Sequence, residues 1–160
     1  SHSSSGVVQV LGEEYFTLLE ASPLPDVEYN IRDRIFVGKG DRAKVGHILG
    51  RIRYEELYSA GKDELQAAVE LVVQNNEGRF IGFINDSQSL TPRMHSLELI
   101  PGIGKRLMFQ ILDLRERFPF ESFADLKERA NLPDPVKLIS RRVIKELSED
   151  QKYYIFTRPL

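Results

Sequence analysis

The chain has 160 residues, of which 41% are hydrophobic and 29% are charged, and its formal net charge is −2. No apolar run approaches the roughly 18 residues that a membrane span needs, so we expect a cytoplasmic protein without a membrane partner. Because the sequence contains no cysteine, it excludes disulfides, iron–sulfur clusters and zinc held by thiolates. The first five residues, Ser-His-Ser-Ser-Ser, are typical of a disordered lead-in or a cloning remnant.

Charge is distributed unevenly along the chain. Residues 1–94 carry 10 Lys and Arg against 14 Asp and Glu, whereas residues 95–160 carry 12 against 10. Within the acidic half, the segment 31–54 has seven cations and two anions. A chain with so small a net charge is not an evident polyanion binder, so a nucleic-acid site must rest on local patches.

The first half of the sequence has the pattern of short β-strands. Segments rich in β-branched and aromatic residues, separated by glycine and proline, predict strands over residues 7–11, 14–21, 31–37 and 44–54. A turn at 38–41 is predicted to join the last two strands as a hairpin, and Gly46 and Gly50 predict bulges or a barrel bend in the returning strand. Several bent antiparallel strands in so short a segment predict a small, partly closed, OB-like barrel.

Residues 55–86 change to a helical period. Apolar residues recur at the spacing of one helix face, namely Leu65, Ala68, Val69, Val72 and Val73. The segment 79–86 is ambiguous between a short helix and a buried strand, and the polar residues 87–92 predict a domain boundary. We therefore predict an N-terminal domain of residues 1–91, consisting of an OB-like barrel with an appended helix.

The second half, residues 92–150, is predicted to be helical. A helix-like segment at 95–100 leads into the turn Pro101-Gly102-Ile103-Gly104, and a second helix follows at about 105–117. Ser122 and Asp125 have the spacing of a capping box at the start of a third helix. The chain thus alternates helices with tight turns.

A fourth helix is predicted after Asp134 and Pro135, which suit the N-cap and the first helical position. It is predicted to bury Val136, Ile139, Val143 and Leu147 and to leave Lys137, Arg141, Arg142 and Lys145 on its surface. Residues 151–160 are predicted to form a last strand, which returns to the barrel. The predicted fold class is α+β, with the barrel followed by an all-α domain.

The turn at residues 101–104, called here the PGIG hairpin, has the chemistry of an anion site. Gly102 and Gly104 let the backbone approach a ligand without an intervening Cβ. A helix begins directly after them, so its first N–H groups are unpaired and its dipole end is positive. Lys105 and Arg106 add formal charge, and a phosphate oxygen is the usual occupant of such a site.

The stretch Leu99–Leu112 resembles the helix-hairpin-helix motif, and residues 94–148 resemble its tandem, four-helix form. The resemblance implies sequence-independent contacts between the amides of Gly102, Ile103 and Gly104 and a nucleic-acid backbone. It also implies a monovalent cation on the hairpin carbonyls; we predict no other cofactor. Two departures are Met108, where the motif often has a small residue, and a second hairpin at 132–135 that has lost both glycines. We expect the second hairpin to keep its shape without binding phosphate.

As a whole, the sequence is similar to an uncharacterised archaeal family that joins an OB-like N-terminal part to a helix-hairpin-helix tail. The runs GHILGRIRYEEL and LELIPGIGKR carry this resemblance. It implies a fold and a class of ligand, nucleic acid, and it implies no reaction.

Five residues of the predicted barrel form what we call the basic face: Arg32, Arg34, Phe36, Arg51 and Arg53. OB-type barrels bind single strands with such a mixture, since cations follow the phosphates and aromatic rings stack on bases. The alternative interpretation is a solvated sheet face with Phe36 in the core.

We predict a nucleic-acid-binding protein that contacts backbones through the PGIG hairpin and the basic face. RNA, single strands or junctions are favoured over sequence-specific duplex DNA, because no helix has the side chains of a major-groove reader. One alternative is a protein–protein adaptor; a lyase or glycosylase is another, and it needs a catalytic Asp or Lys in a pocket. We predict no enzyme activity, no catalytic residue and no metal site, since His47 and His95 lack neighbouring ligands at metal spacing.

Overall fold

The computed structural model describes residues 6–24, 35–37 and 45–159, and it has the predicted α+β composition. Its strands are β1 (Val8–Leu11), β2 (Leu18–Pro23), β3 (Ile35–Val37), β4 (Val45–Arg51), β5 (Ser89–Thr91) and β6 (Met94–His95). Its helices are α1 (Ser59–Asn75), α2 (Glu77–Asp86), α3 (Lys105–Arg117), α4 (Phe123–Ala130) and α5 (Pro135–Ser148). Short 3₁₀ helices lie at Tyr54–Glu56 and Ser96–Leu99.

The chain divides into two compact units. The first comprises Ser1–Val72 with Val143–Leu160, and the second comprises Val73–Arg142. Compactness alone does not establish which segment folds independently, so the predicted boundary after residue 91 stays a prediction. Among the residues described, no helix is both long enough and apolar enough to cross a membrane.

The larger sheet has the strand order β3-β1-β2-β4. β1 is antiparallel to β2 and parallel to β3, while β2 is antiparallel to β4. Over the described residues this sheet is open at β3 and β4, and no closed barrel forms.

The predicted hairpin between residues 31–37 and 44–54 is wrong, because β3 and β4 lie at opposite edges of the sheet. β1 is buried along its whole length and has a neighbour on each side, which leaves β4 to pair with β2 alone. The predicted turn at 38–41 lies outside the described residues.

The predicted strand at 14–21 begins later than expected, at Leu18. Residues 13–15 form a turn instead, followed by Phe16 at a positive φ of 57°. The Gly12 N–H donates to the Thr17 carbonyl at 2.8 Å, which closes the connection between β1 and β2.

Both predicted bulges in β4 are confirmed. The register between β2 and β4 shifts between Glu20 and Ala21 and again between Ala21 and Pro23, opposite the segments that hold Gly50 and Gly46. At Gly46 the strands approach closely, since an added Cβ would lie 2.6 Å from the Ser22 Oγ.

The predicted helical face of 55–86 is confirmed in α1 for Leu65, Val69, Val72 and Val73, which are buried, whereas Ala68 is half-buried. The ambiguous segment 79–86 is helical and belongs to α2, where Phe80, Ile81 and Ile84 are buried. Residues 87–92, where a domain boundary is predicted, include β5, which pairs with β6.

Residues 151–159 form no strand among the described residues, so the predicted final strand is wrong there. The backbone N–H groups of Ile155, Phe156 and Thr157 instead donate to the Glu146 carboxylate, at 2.9, 3.1 and 2.9 Å. The Thr157 hydroxyl donates to the same carboxylate at 2.9 Å. Because a side chain in α5 takes these donors, they are not available for a sheet ladder.

Candidate nucleic-acid interface

The PGIG hairpin joins a short helix to a long one. The predicted helix at 95–100 is a 3₁₀ helix, Ser96–Leu99, and α3 begins at Lys105 as predicted. The Ile103 N–H donates to the Ile100 carbonyl at 3.0 Å, which closes the turn. That amide, one of the predicted phosphate ligands, is therefore already paired within the hairpin.

Gly102 is the glycine that the turn requires. Its φ is +96°, in the region that side chains disfavour, and an added Cβ would lie 3.1 Å from the Leu138 Cδ2. Beneath it, Ile100, Ile103 and Leu138 are buried around a cavity of only about 10 Å³. The hairpin is thus supported by a tightly packed apolar layer that includes α5.

Gly104 has a different role. Its backbone is extended, with φ −89° and ψ −173°, and an added Cβ would meet nothing within 4 Å. It occupies the N-cap of α3 without any side-chain cap, so the first N–H groups of this helix lack the usual intrahelical partners. The open space at Gly104 leaves the positive end of a 13-residue helix accessible to an anion.

The two predicted cations of the hairpin differ in their surroundings. The Lys105 ammonium donates to both Glu98 carboxylate oxygens, at 2.8 and 3.0 Å, and to the Arg93 carbonyl at 2.7 Å. These contacts lower the pKa of Glu98, chiefly through the side-chain bond to Lys105. Arg106 is exposed and has no ion pair with the described residues, so it is the cation with uncompensated charge.

His95 caps the 3₁₀ helix that precedes the hairpin. Its Nδ1 accepts from the Leu97 N–H at 3.0 Å, and Glu98 accepts from the His95 N–H at 2.8 Å. Burial, helped by the charge of Arg115, lowers the pKa of His95 below its ordinary value. This role is not predictable from the sequence, because the acceptor is an imidazole instead of the usual hydroxyl or carboxylate.

Two arginines that are not among the predicted site residues donate hydrogen bonds to the ends of neighbouring helices. Arg115 in α3 donates to the Ile84 carbonyl and to the Ser87 carbonyl, both at 2.8 Å, at the end of α2. Arg129 donates to the Leu114 carbonyl at 3.1 Å and the Phe118 carbonyl at 2.8 Å, at the end of α3. Cations at helix C-termini stabilise the exposed carbonyls, so both side chains fix the position of α3.

The second hairpin differs from the first at the helix that follows it. The Asp134 carboxylate accepts from the Lys137 N–H at 3.2 Å, as its predicted N-cap role requires. This N-terminus therefore already has an anionic cap from its own chain. Such a cap agrees with the expectation that the second hairpin keeps its shape without binding phosphate.

α5 follows the predicted pattern with one correction. Ile139 and Val143 are buried, Val136 and Leu147 are half-buried, and Lys137, Arg141 and Lys145 are exposed. Arg142, predicted on the surface, is only 3% exposed. Its guanidinium donates to the Leu99 carbonyl over a long 3.4 Å, so this cation faces the residues before the hairpin and not solvent.

The basic face is described only in part. Arg32 and Arg34 lie outside the described residues, and of Phe36 the structure describes the backbone, in β3. Arg51 and Arg53 are exposed and line, with Arg158, a cavity of about 260 Å³ in the first unit. The Arg51 guanidinium donates to the Arg158 carbonyl. Acidic residues line the same cavity, among them Glu55, Glu149 and Asp150, so it is not a purely basic surface.

Comparison with known proteins places the chain in a family. The model of a family described as proteins of unknown function, DUF655, matches residues 1–158. The chain belongs to DUF655. The uncharacterized protein MJ0038 of Methanocaldococcus jannaschii is 42% identical over 154 residues, which cover 95% of this chain and 70% of MJ0038.

A crystal structure of another DUF655 protein, Af1531 from Archaeoglobus fulgidus, is similar throughout. It is 39% identical with a TM-score of 0.81, over 95% of this chain and 85% of Af1531. The predicted resemblance to an uncharacterised archaeal family is thus confirmed at the level of the family. The names of these DUF655 relatives state no activity, so the function must be argued from the site.

Burial of His95 and the contact between Glu98 and Lys105 make the DUF655 chain sensitive to acid. Since the pKa of His95 is lower in the folded state, the unfolded state binds more protons as the pH falls below about 6.5, and stability decreases. The lowered pKa of Glu98 adds a second loss below about 4.5. Urea unfolding at a series of pH values from about 7.5 to 4 measures both steps.

His95→Asn is the matched control for the first step, because the Asn side-chain oxygen accepts at an N-cap without titrating. We expect the variant to have a flatter stability curve between about pH 7 and 5. An unchanged slope in this range would assign the acid sensitivity to other groups.

Proposed function

We propose that the chain binds nucleic-acid backbones at the PGIG hairpin, independently of base sequence. The observation that supports the proposal most directly is the uncapped N-terminus of α3, open at Gly104 and adjacent to the uncompensated charge of Arg106. A helix N-terminus with accessible amides and a neighbouring cation has the chemistry that binds phosphate. On this proposal the hairpin is the first turn of a helix-hairpin-helix domain.

The N-terminal unit has a smaller part in the proposal. Arg51 and Arg53 are exposed near the open sheet, and on this proposal they contact the phosphates of a nucleic-acid strand bound at an OB-like surface. Their exposure supports this assignment. The acidic residues of the adjoining cavity weaken the attraction of this surface for phosphate. We therefore assign the main phosphate contact to the hairpin and a secondary one to these two arginines.

The favoured ligands are RNA, single strands and junctions. α3 exposes Lys105, Arg106 and Gln110 near its start. Contacts between these side chains and a nucleic-acid backbone orient the ligand and do not distinguish its bases. The cavity beneath the hairpin has a volume of about 10 Å³ and an apolar lining, so it holds no catalytic Asp or Lys for a lyase or glycosylase.

The test is a filter-binding panel of single- and double-stranded DNA and RNA at 50 and 200 mM salt. With about three phosphates neutralised, by Arg106, Arg51 and Arg53, duplex affinity should fall by roughly 1.6 decades over this range. Single strands, whose dependence is weaker, should lose roughly 1.3 decades. Arg106→Ala should make the slope of log affinity against log salt concentration shallower by nearly one unit, for every nucleic-acid sequence.

Lys105→Ala is the matched control, since Glu98 already compensates its charge. We expect a smaller change in slope than for Arg106→Ala. Affinity that is flat in salt, or absent for all four ligands, would instead favour the adaptor. The exposed side chains of Phe109 and Phe118 are the observation that favours that second function.

A further inference from the structure

An exposed aromatic ring lies one helical turn from the proposed phosphate site. Phe109 is 62% exposed and follows Arg106 by three residues and Lys105 by four in α3. Residues at these spacings share a helix face, and side chains lean toward the helix N-terminus. Phe109 and Arg106 therefore share a face of α3, near the end of the helix that follows the PGIG hairpin.

Single exposed hydrophobic side chains are common, so exposure alone carries no argument. What distinguishes Phe109 is its neighbours: an uncompensated guanidinium and the open helix start at Gly104. Phe118 is more exposed, at 73%, but it follows the last turn of α3, roughly 13 Å along the helix axis from Phe109. Both rings are exposed, but the cations beside Phe118, Arg117 and Arg129, are paired with Asp113 and Asp125, whereas Arg106 has no ion pair with the described residues.

We propose that Phe109 is a stacking platform for an unpaired base of the strand whose phosphate is bound at the hairpin. The inference rests on the proposed function and specifies its ligand. Arg106 and the helix dipole attract the phosphate, and the ring about one turn away offers its face to a base of the same strand. A base inside a duplex is already stacked on both sides, so the platform selects single-stranded ends and unpaired junction strands.

The first test compares two RNA probes: a 12-nucleotide single strand, and the duplex of that strand with its complement, closed at each end by a non-nucleotide linker so that it has neither a free end nor an unpaired base. Phe109→Ala should weaken binding of the single strand roughly 5- to 150-fold and leave the closed duplex within about twofold. Phe118→Ala, the matched control, should change neither. Equal losses for both probes, or no loss for either, would overturn the stacking assignment.

A second measurement uses the absence of tryptophan from the chain. Phe109→Trp introduces a single indole at the proposed platform, and Phe118→Trp introduces one at the other end of the helix. A stacked base should quench emission from position 109 with the single strand and not with the closed duplex. Emission from position 118 should stay unchanged with both. Absence of quenching at position 109 while the strand is bound would contradict stacking.

Gly104→Val separates this inference from the function on which it rests. If that variant loses binding while Phe109→Ala retains it, the phosphate site is correct and the stacking platform is wrong. If the unmodified protein binds neither probe, the proposed function is wrong, and the stacking role of Phe109 is wrong as well.

Discussion

Replacing Glu146 with alanine is expected to lower the free energy of unfolding by about 3–5 kcal/mol. The carboxylate is buried and accepts from three consecutive backbone N–H groups and one hydroxyl. Hydrogen bonds to a charged acceptor contribute about 1.5–3 kcal/mol each, although four that share one carboxylate do not add fully. Residues 151–159 should then separate from the rest of the first unit, which urea unfolding and limited proteolysis of the tail would detect.

Glu149→Ala is the control for Glu146→Ala, because Glu149 is exposed just after the same helix and should change stability by less than about 0.5 kcal/mol. Glu146→Gln should be intermediate, since its amide keeps one acceptor oxygen but directs a second donor at the tail. An alanine variant with a protected tail would show that other contacts hold residues 151–159.

The helices were predictable because their signals are local. α3 begins directly after a glycine turn, α4 begins after Ser122, whose Oγ accepts from the Asp125 N–H at 3.0 Å, and α5 begins at Pro135. The spacing of the apolar residues in α1 likewise predicted which face of the helix is buried. In each case the information lies within about four residues, the reach of a helical turn.

The errors concern contacts between distant residues. The pairing of β3 with β1 depends on which strand becomes the buried one. The alternation of hydrophobic and polar residues does not specify that strand. The predicted last strand does not form, because the carboxylate of Glu146 in α5 accepts hydrogen bonds from the backbone N–H groups of residues 155–157. A pattern typical of a strand describes suitable side chains and does not say where the backbone hydrogen bonds go.

At the candidate site too, local features were predictable from the sequence and contacts between distant residues were not. The sequence identified the hairpin, the following helix start and the adjacent cations. It did not separate Lys105, which is paired with Glu98, from Arg106, which is not. Nor did it separate Gly102, which has the positive φ and the packed neighbour, from Gly104, whose backbone any residue can adopt. Those distinctions depend on the packing of the second unit.

The difference between the glycines makes position 104 the better probe of binding. We expect Gly104→Val to reduce nucleic-acid affinity at least about tenfold, because its side chain occupies the open space through which a phosphate would reach the α3 amides. Stability should fall by no more than about 1 kcal/mol, the difference between a good and a poor N-cap. Filter binding and urea unfolding on the same preparation measure both quantities.

Gly104→Ser separates occupation of the site from damage to the fold. A serine hydroxyl at the N-cap accepts from the backbone N–H two or three residues later, so the variant should be as stable as the parent or more stable by a few tenths of a kcal/mol. The same N–H groups are those proposed to meet the phosphate, so the variant should also bind more weakly. Stability and affinity then change in opposite directions, which loss of fold cannot produce. Full affinity in both the valine and serine variants would mean that the ligand does not reach the α3 amides, and the proposed site would be wrong.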